Sequence, residues 1–315
     1  MSKRTAANLS VLPRPDVDPW PTLWTSFERE LRANNASART VEIYGDGARL
    51  FHDWSKSRDL PTDPVNITKA QCEDYLIWLR DVRGAKPATV RARFSALRRF
   101  FGWLVQEDEI EHSPMERMRG VKVDEPAPSV LTDEQLVKLF NACKGDALED
   151  RRDMAILSVM LDCGLRRQEV AGIMVDDVDM DAQTITIRRR KGGKQDVVRF
   201  EAKTARDLDR YLRLRGRHTR ATLPNLWLAQ KGALSGDGVH HLVARRARLA
   251  GIVGMHPHLL RHQFAHSLKA AGASDEDIME LGAWADIKSM RRYGAAARQA
   301  RAWETHRRLS PRDRV

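Results

Sequence analysis

Four short segments in the second half of this sequence carry residue types suited to chemistry on a phosphate ester. The first is Cys163-Gly164-Leu165-Arg166-Arg167-Gln168-Glu169. Gly164 is placed to end one helix in a left-handed conformation, and Arg166 then starts the next. Arg166 and Glu169 lie one helical turn apart, so the carboxylate can orient the guanidinium from behind. Taken alone, such an Arg–Glu pair is usually surface decoration. The second segment is the turn Lys191-Gly192-Gly193-Lys194. A lysine on a Gly-rich turn can swing over a phosphate and give a proton to a departing oxygen. Most such turns are simply exposed basic hairpins.

The third segment is His258-Leu259-Leu260-Arg261-His262. On a helix beginning near Pro257, positions 258 and 261 share a face. An imidazole that moves protons near neutral pH then stands beside a permanently charged guanidinium, the pairing that phosphoryl transfer needs. A rival reading is a metal site, because His258, His262 and His266 follow at steps of four with His256 nearby. Against it, no Glu of an H-E-x-x-H pattern lies between them and no cysteine is close. For His262 and His266, buried structural histidines are the stronger alternative. The fourth segment is Leu281-Gly282-Ala283-Trp284, followed nine residues on by Tyr293 in Arg291-Arg292-Tyr293-Gly294. A phenol with an ordinary pKa of about 10 needs cationic neighbours and a base to act as a nucleophile. A lone tyrosine is more often a packing residue, and Tyr211 is the next candidate for the nucleophile.

The elements that must hold these groups can be read from periodicity. Trp20, Leu23, Trp24, Phe27 and Leu31 recur at helical steps, as do Val41, Tyr44, Ala48, Phe51 and Trp54 after Ser37 or Thr40 as a cap. Gly45 and Gly47 weaken that second helix. A third follows Thr68 with Cys72, Tyr75, Leu76, Leu79 and Val82 on its face, and a fourth follows Pro87 with Val90, Phe94, Leu97, Phe101 and Leu104. Short connections make these a small all-α bundle. On the fourth helix Arg91, Arg93, Arg98 and Arg99 crowd the apolar stripe without matching acids, which suggests a phosphate-tracking face rather than a merely solvated one. Periodicity then stops in a Pro-punctuated linker. Thr132 caps the next helix, with Asp133 and Glu134 in its first turn, and an apolar helix runs from about Asp150 to Asp162. Alternation at Thr184 to Ile187 and Val197 to Phe200 around KGGK predicts a β-hairpin. The remainder is helical, apart from an extended piece at LWLAQ and breaks at Gly232, Gly236 and Gly251.

The expected domains are a tail over 1–19, a helical core DNA-binding domain over 20–112, a linker over 113–130, a catalytic domain over 131–309 and a short end at 310–315. The chain's 54 Lys and Arg outnumber 43 Asp and Glu, giving +11 and a pI near 9.9, which favours polyanionic partners. Cys72, Cys143 and Cys163 form no C-x-x-C pair, so neither a zinc ribbon nor a disulfide framework is indicated and a reducing cytoplasm fits best. No apolar leader or long apolar stretch occurs, so neither secretion nor a membrane partner is expected.

Taken in order, these pieces resemble the tyrosine recombinases, a family that includes phage integrases, Cre-like enzymes and Xer chromosome-dimer resolvases. The resemblance runs from about Trp20 to Leu309 and is most specific from Gly164 to Gly294. The family's G-L-R-x-x-E motif is matched by Gly164 to Glu169, its K-G-x-K turn by Lys191, and its H-x-x-R-H motif by His258, Arg261 and His262. Its position nine residues before the nucleophile, often His, is Trp284 here. The resemblance implies a mainly α protein with a small β-hairpin or sheet, an N-terminal SAM-like core-binding domain and a C-terminal mixed α/β catalytic domain. The 19-residue tail has no room for an arm-binding domain, so a minimal two-domain form is expected.

The implied chemistry begins when Tyr293 attacks a DNA phosphate, forming a 3′-phosphotyrosine and releasing a 5′-hydroxyl. Arg166 and Arg261 hold the phosphate oxygens, His258 shuttles the nucleophile's proton, Lys191 protonates the leaving oxygen, and Trp284 packs on or donates to the phosphate. Glu169 and His262 support them from behind. Neither ATP nor metal is required. The implied partners are a duplex recombination site and further subunits in a tetrameric synaptic complex, with Ala295 to Leu309 as the segment that docks on a neighbour. Alternatives are a type IB topoisomerase-like relaxase and a catalytically inactive DNA-binding regulator of the same fold.

Overall fold

The structure is a computed structural model that describes residues 18–122, 130–188, 195–282 and 284, with 302–303, 306–307 and 309–310. It comprises two compact units, Met1–Glu125 and Pro126–Val315.

In the first unit four helices carry the apolar stripes: α1 (Trp20–Ala33), α2 (Ala38–Lys56), α3 (Lys69–Asp81) and α4 (Pro87–Gln106). Ser37 caps α2 by accepting from Thr40 N, and Thr68 caps α3 by accepting from Gln71 N, each satisfying an otherwise unpaired first-turn amide. The interior is aromatic. Phe27, Phe51, Tyr75, Phe100 and Phe101 are fully buried, with Phe51 edge-on to Tyr75 at 5.1 Å and Phe27 edge-on to Phe100 at 5.4 Å. Such pairs add about 0.5–1.5 kcal/mol beyond simple burial. Gly45 and Gly47 do not break α2. A side-chain carbon at Gly45 would stand 2.6 Å from the Trp24 ring, and one at Gly47 would stand 2.6 Å from the Ala96 methyl. The glycines are where α1 and α4 press closest on α2. Val82 falls just beyond α3 and is exposed, so it does not belong to that helix's buried face.

The second unit opens with α5 (Asp133–Asn141), held by a reciprocal capping box between Thr132 and Gln135. The long α6 (Leu148–Cys163) is buried on several faces, since Ala155, Ile156, Leu157, Val159 and Met160 are all inaccessible. After the short α7 (Arg167–Ala171) come β1 (Val178–Asp179), β2 (Thr184–Arg188) and β3 (Gln195–Arg199), an antiparallel sheet in that order. Thr184 pairs with Arg199 and Arg188 with Gln195, which forms the expected hairpin, with β1 as an additional edge. The KGGK turn lies outside the described residues. Ile185, Ile187 and Val198 face the core. Next are α8 (Ala202–Arg215), the two-residue strands β4 (Leu228–Ala229) and β5 (Gly232–Ala233), α9 (Gly236–Leu249), α10 (Pro257–Ala270) and α11 (Asp275–Leu281). Gly232 and Gly236 therefore begin elements rather than separate them. Among the described residues no helix is long and apolar enough to cross a membrane.

Candidate active site

Three segments of the second unit converge on one cleft. At the end of α6, Gly164 has φ +63°, the left-handed conformation that closes a helix. A side-chain carbon there would also collide with the Phe264 ring of α10. The turn lets Arg166 sit just ahead of α7, where Glu169 holds it twice. One carboxylate oxygen accepts from the Arg166 backbone N–H at 2.8 Å and the other accepts from its Nη1 at 2.7 Å. The guanidinium is oriented by protein yet 48% exposed, so it stays available to an anion.

On α10, Pro257 occupies the first turn and His258 follows at the mouth of the cleft. Arg261, one turn on, is 1% exposed. Its Nη1 donates to the carbonyls of Gly164 and Gly282, tying α10 to the end of α6 and the end of α11. Trp284 packs beneath it, with the guanidinium carbon 4.3 Å from the ring centroid and the Phe264 ring meeting Trp284 edge-on. Trp284 thus acts on Arg261, through a cation–π contact worth up to about 2 kcal/mol when shielded from water. His262 is 8% exposed and lies edge-on to His258 at 4.5 Å, behind it rather than in the cleft. Partial desolvation, then Arg261, His256 and Arg166, hold His258 below the usual histidine pKa, so near neutral pH it is an uncharged proton acceptor.

The cleft has a volume of about 530 Å³, and both Arg166 and His258 line it. Arg167, His240 and His256 share it, and of these only His256 stood out in the sequence, as part of a metal reading. His240 lies on α9, and nothing in its local spacing links it to α10. Among the described residues no group of three or more His, Cys, Asp or Glu is placed to hold a metal ion. Sequence reasoning also missed Trp227, whose indole donates to Val170 O at 2.8 Å and braces α7 from below. Lys191 and Tyr293 lie outside the described residues.

Similarity to known proteins agrees with this geometry. Residues 129–300 match the model of the phage integrase family, and residues 23–111 match the phage integrase N-terminal SAM-like domain. The chain belongs to the phage integrase family. It is 28% identical over 278 residues to tyrosine recombinase XerC of Thermodesulfovibrio yellowstonii, covering 85% of this chain and 90% of the relative. It is 29% identical over 266 residues to tyrosine recombinase XerD of Bifidobacterium longum, covering 81% and 85%. Its fold resembles that of XerH site-specific recombinase bound to palindromic difH substrate, with TM-score 0.73 and 20% identity over 90% of this chain and 84% of that one. A λ integrase dimer bound to a COC′ core site gives 0.68 and 16% identity over 87% and 94%.

Two expectations for this integrase-family protein change. Tyr211 is no alternative nucleophile. It is fully buried, its hydroxyl donates to Leu226 O and accepts from Leu228 N, both at 2.9 Å, and burial raises its pKa. On α4 the arginines do not all lack acids. Arg99 pairs with Glu30 of α1 at 2.7 Å, and Arg93 donates to Ile43 O of α2. Arg91 and Arg98 are the outward members, with Arg98 folded over the Phe94 ring at 5.9 Å. The matching acid came from a helix 69 residues earlier, beyond the reach of local spacing.

Proposed function

We propose that this protein is a site-specific tyrosine recombinase that cuts and rejoins duplex DNA through a 3′-phosphotyrosine intermediate. The observation that carries the reading is the shared cleft. Segments far apart in the chain bring a carboxylate-oriented Arg166 and an uncharged His258 to one opening, over a buried Arg261. In the proposed reaction the Tyr293 oxygen bonds to the scissile phosphorus as the bond to the 5′ oxygen breaks. His258 takes the phenol proton and Lys191 supplies one to the leaving 5′ oxygen. Arg166 and Arg261 stabilise the charge that develops on the non-bridging oxygens, and in most phosphoryl transfers such fixed charge lowers the barrier more than any other single effect. A second strand's 5′-hydroxyl then attacks the phosphotyrosine and returns the proton by the same route.

The names of the relatives support site-specific recombination, and the solved DNA complexes of XerH and λ integrase support duplex DNA as the partner. Four subunits on two sites, with 295–309 docking in trans, is the assembly we expect in the cytoplasm. Trp303 and Leu309 in that segment are 68% and 45% exposed, apolar surface of the kind that a second copy can cover.

The test is covalent trapping. Nicked duplexes of randomised sequence, incubated with the protein in chelator, should yield a denaturant-stable, protease-sensitive DNA adduct. Tyr293→Phe should yield none. An adduct formed by the Phe variant would move the nucleophile elsewhere.

A further inference from the structure

The cleft holds more cationic capacity than one phosphate requires. Arg166 and His258 account for the scissile group in the reading above. The same cleft is walled by Arg167, His240 and His256, for which that reading has no use. These come from three elements that pack closely. A side-chain carbon at Gly236, the first residue of α9, would stand 2.5 Å from the Gln168 side chain, so α9 is seated directly against α7. His240 lies one turn further along α9, and His256 immediately precedes α10, two residues before His258.

Charged and titratable groups surround His256 from three elements. From α7 and the residue before it come Arg166, Arg167 and Glu169. From α9 come His240 and Asp237, and from α10 come His258, Arg261 and His262. Both nearby acids are already engaged. Glu169 accepts from Arg166, and Asp237 is paired with Arg167 at 3.0 Å on an exposed surface. Breaking an exposed ion pair such as Arg167–Asp237 costs little, so Arg167 can turn to an incoming phosphate. Phosphates follow one another along a strand at roughly 3.4 Å of helix rise, so a cleft admitting one meets the charge of the next.

We propose that Arg167, His240 and His256 form a second phosphate subsite, which takes the DNA phosphodiester adjacent to the scissile one and takes up protons as it does so. The inference rests on the recombinase reading, because that reading supplies the first phosphate. In the DNA-free protein, partial desolvation and then His240 hold His256 below the ordinary histidine value, so His256 is uncharged at pH 7. An arriving phosphate reverses that balance, since an opposite charge at close range favours the imidazolium. Each imidazole that gains a proton on binding makes affinity rise as pH falls.

The experiment is fluorescence anisotropy with a short labelled duplex of mixed sequence, from pH 8 to pH 6 at constant ionic strength. Wild-type affinity should rise about tenfold over that range, the scale of one titrating histidine. His240→Gln with His256→Gln should flatten most of the gradient, and unchanged circular dichroism would certify the fold. His258→Gln, measured beside it, gives the share that belongs to the first subsite. Once trapping has located the scissile phosphate, a methylphosphonate at its neighbour should remove the same gradient in the wild-type protein. If the double variant keeps the full wild-type gradient, the second subsite is wrong even where covalent trapping succeeds. Absence of trapping with the gradient still dependent on these histidines would instead remove the recombinase reading and leave the subsite standing.

Discussion

Arginine does two different jobs in the two units. On α4 of the first unit, Arg91 and Arg98 lie outside an aromatic core and face water. In the second unit Arg152, Arg215, Arg246 and Arg261 are each no more than 6% exposed. The guanidinia of Arg152, Arg215 and Arg246 are bound to protein partners. Asp153, itself inaccessible, accepts from Arg152, Arg245 and Arg246, while Arg246 also reaches Asp150 and Ala142 O. Arg215 donates to the carbonyls of Ala221, Leu223, Asn225 and Leu226, which fixes the loop leading to Trp227 and so the floor under α7. The lesson concerns charge counting. A net charge of +11 treats all of these alike, yet Arg91 and Arg98 face outward where a polyanion can meet them, while Arg152, Arg215 and Arg246 build the frame on which Arg166 and His258 stand.

If that contrast holds, the largest effect belongs to Asp153→Ala. It strands Arg152 in the interior without a counter-charge and leaves Arg246 with Asp150 alone, and breaking a buried pair in this way costs about 3–5 kcal/mol. Urea denaturation should read the loss directly as a lower midpoint. An unchanged midpoint would mean that water reaches the network and that the burial is illusory.

Arg166→Ala comes next, and separates position from frame. Its guanidinium is half in water, so stability should change by less than about 0.5 kcal/mol, whereas the cleavage rate should fall on the order of a hundredfold. Arg261→Ala should lose both, because it leaves the carbonyls of Gly164 and Gly282 without their donor and uncovers Trp284. A stable Arg261→Ala with normal cleavage would break the assignment of Arg261.

How far the sequence reached follows from the same contrast. Gly164, Arg166 and Glu169 were legible because their relation is local, a helix end and one turn of the next. His258 and Arg261 were legible as a shared helix face for the same reason. The partners that arrive from elsewhere were not. Glu30 reaches Arg99 from another helix, His240 meets His256 across the α9–α10 junction, and Trp284 turned out to serve Arg261. Periodicity encodes which face is buried, but it carries no information on which distant face will be laid against it. Gly45 and Gly47 illustrate the converse. A poor local propensity survived because close packing by Trp24 and Ala96 required small residues.

The pH dependence should be smaller and of defined sign. His258 works as an acceptor only when uncharged, and its environment keeps it uncharged to below the ordinary value of 6.5. Measured at saturating DNA, so that the pH dependence of binding does not enter, the cleavage rate should therefore stay level as pH falls from 8 towards 6.5 and decline only below it, as His258 gains a proton. Arg166 is one of the charges that depress this pKa, so the residual activity of Arg166→Ala should lose its acid tolerance and decline at a slightly higher pH. A wild-type decline beginning at or above about pH 7 would mean that the proton acceptor is another group.

The smallest effect tests the outer half of the comparison. Arg98→Ala removes one outward cation that rests on the face of Phe94, so folding should be almost unaffected. DNA binding should weaken by a few-fold for every sequence tested, and the slope of log affinity against log salt should fall by about one, the signature of one lost phosphate contact. Arg99→Ala should behave differently although it is the next residue. Its partner Glu30 is only 24% exposed, so the change frees a half-buried carboxylate and costs stability of about 1 kcal/mol, with little change in the salt slope. Equal salt slopes for the two variants would mean that α4 presents an undifferentiated cloud of charge. Distinct slopes would establish that even on this outer helix one arginine serves the nucleic acid while its neighbour serves the fold.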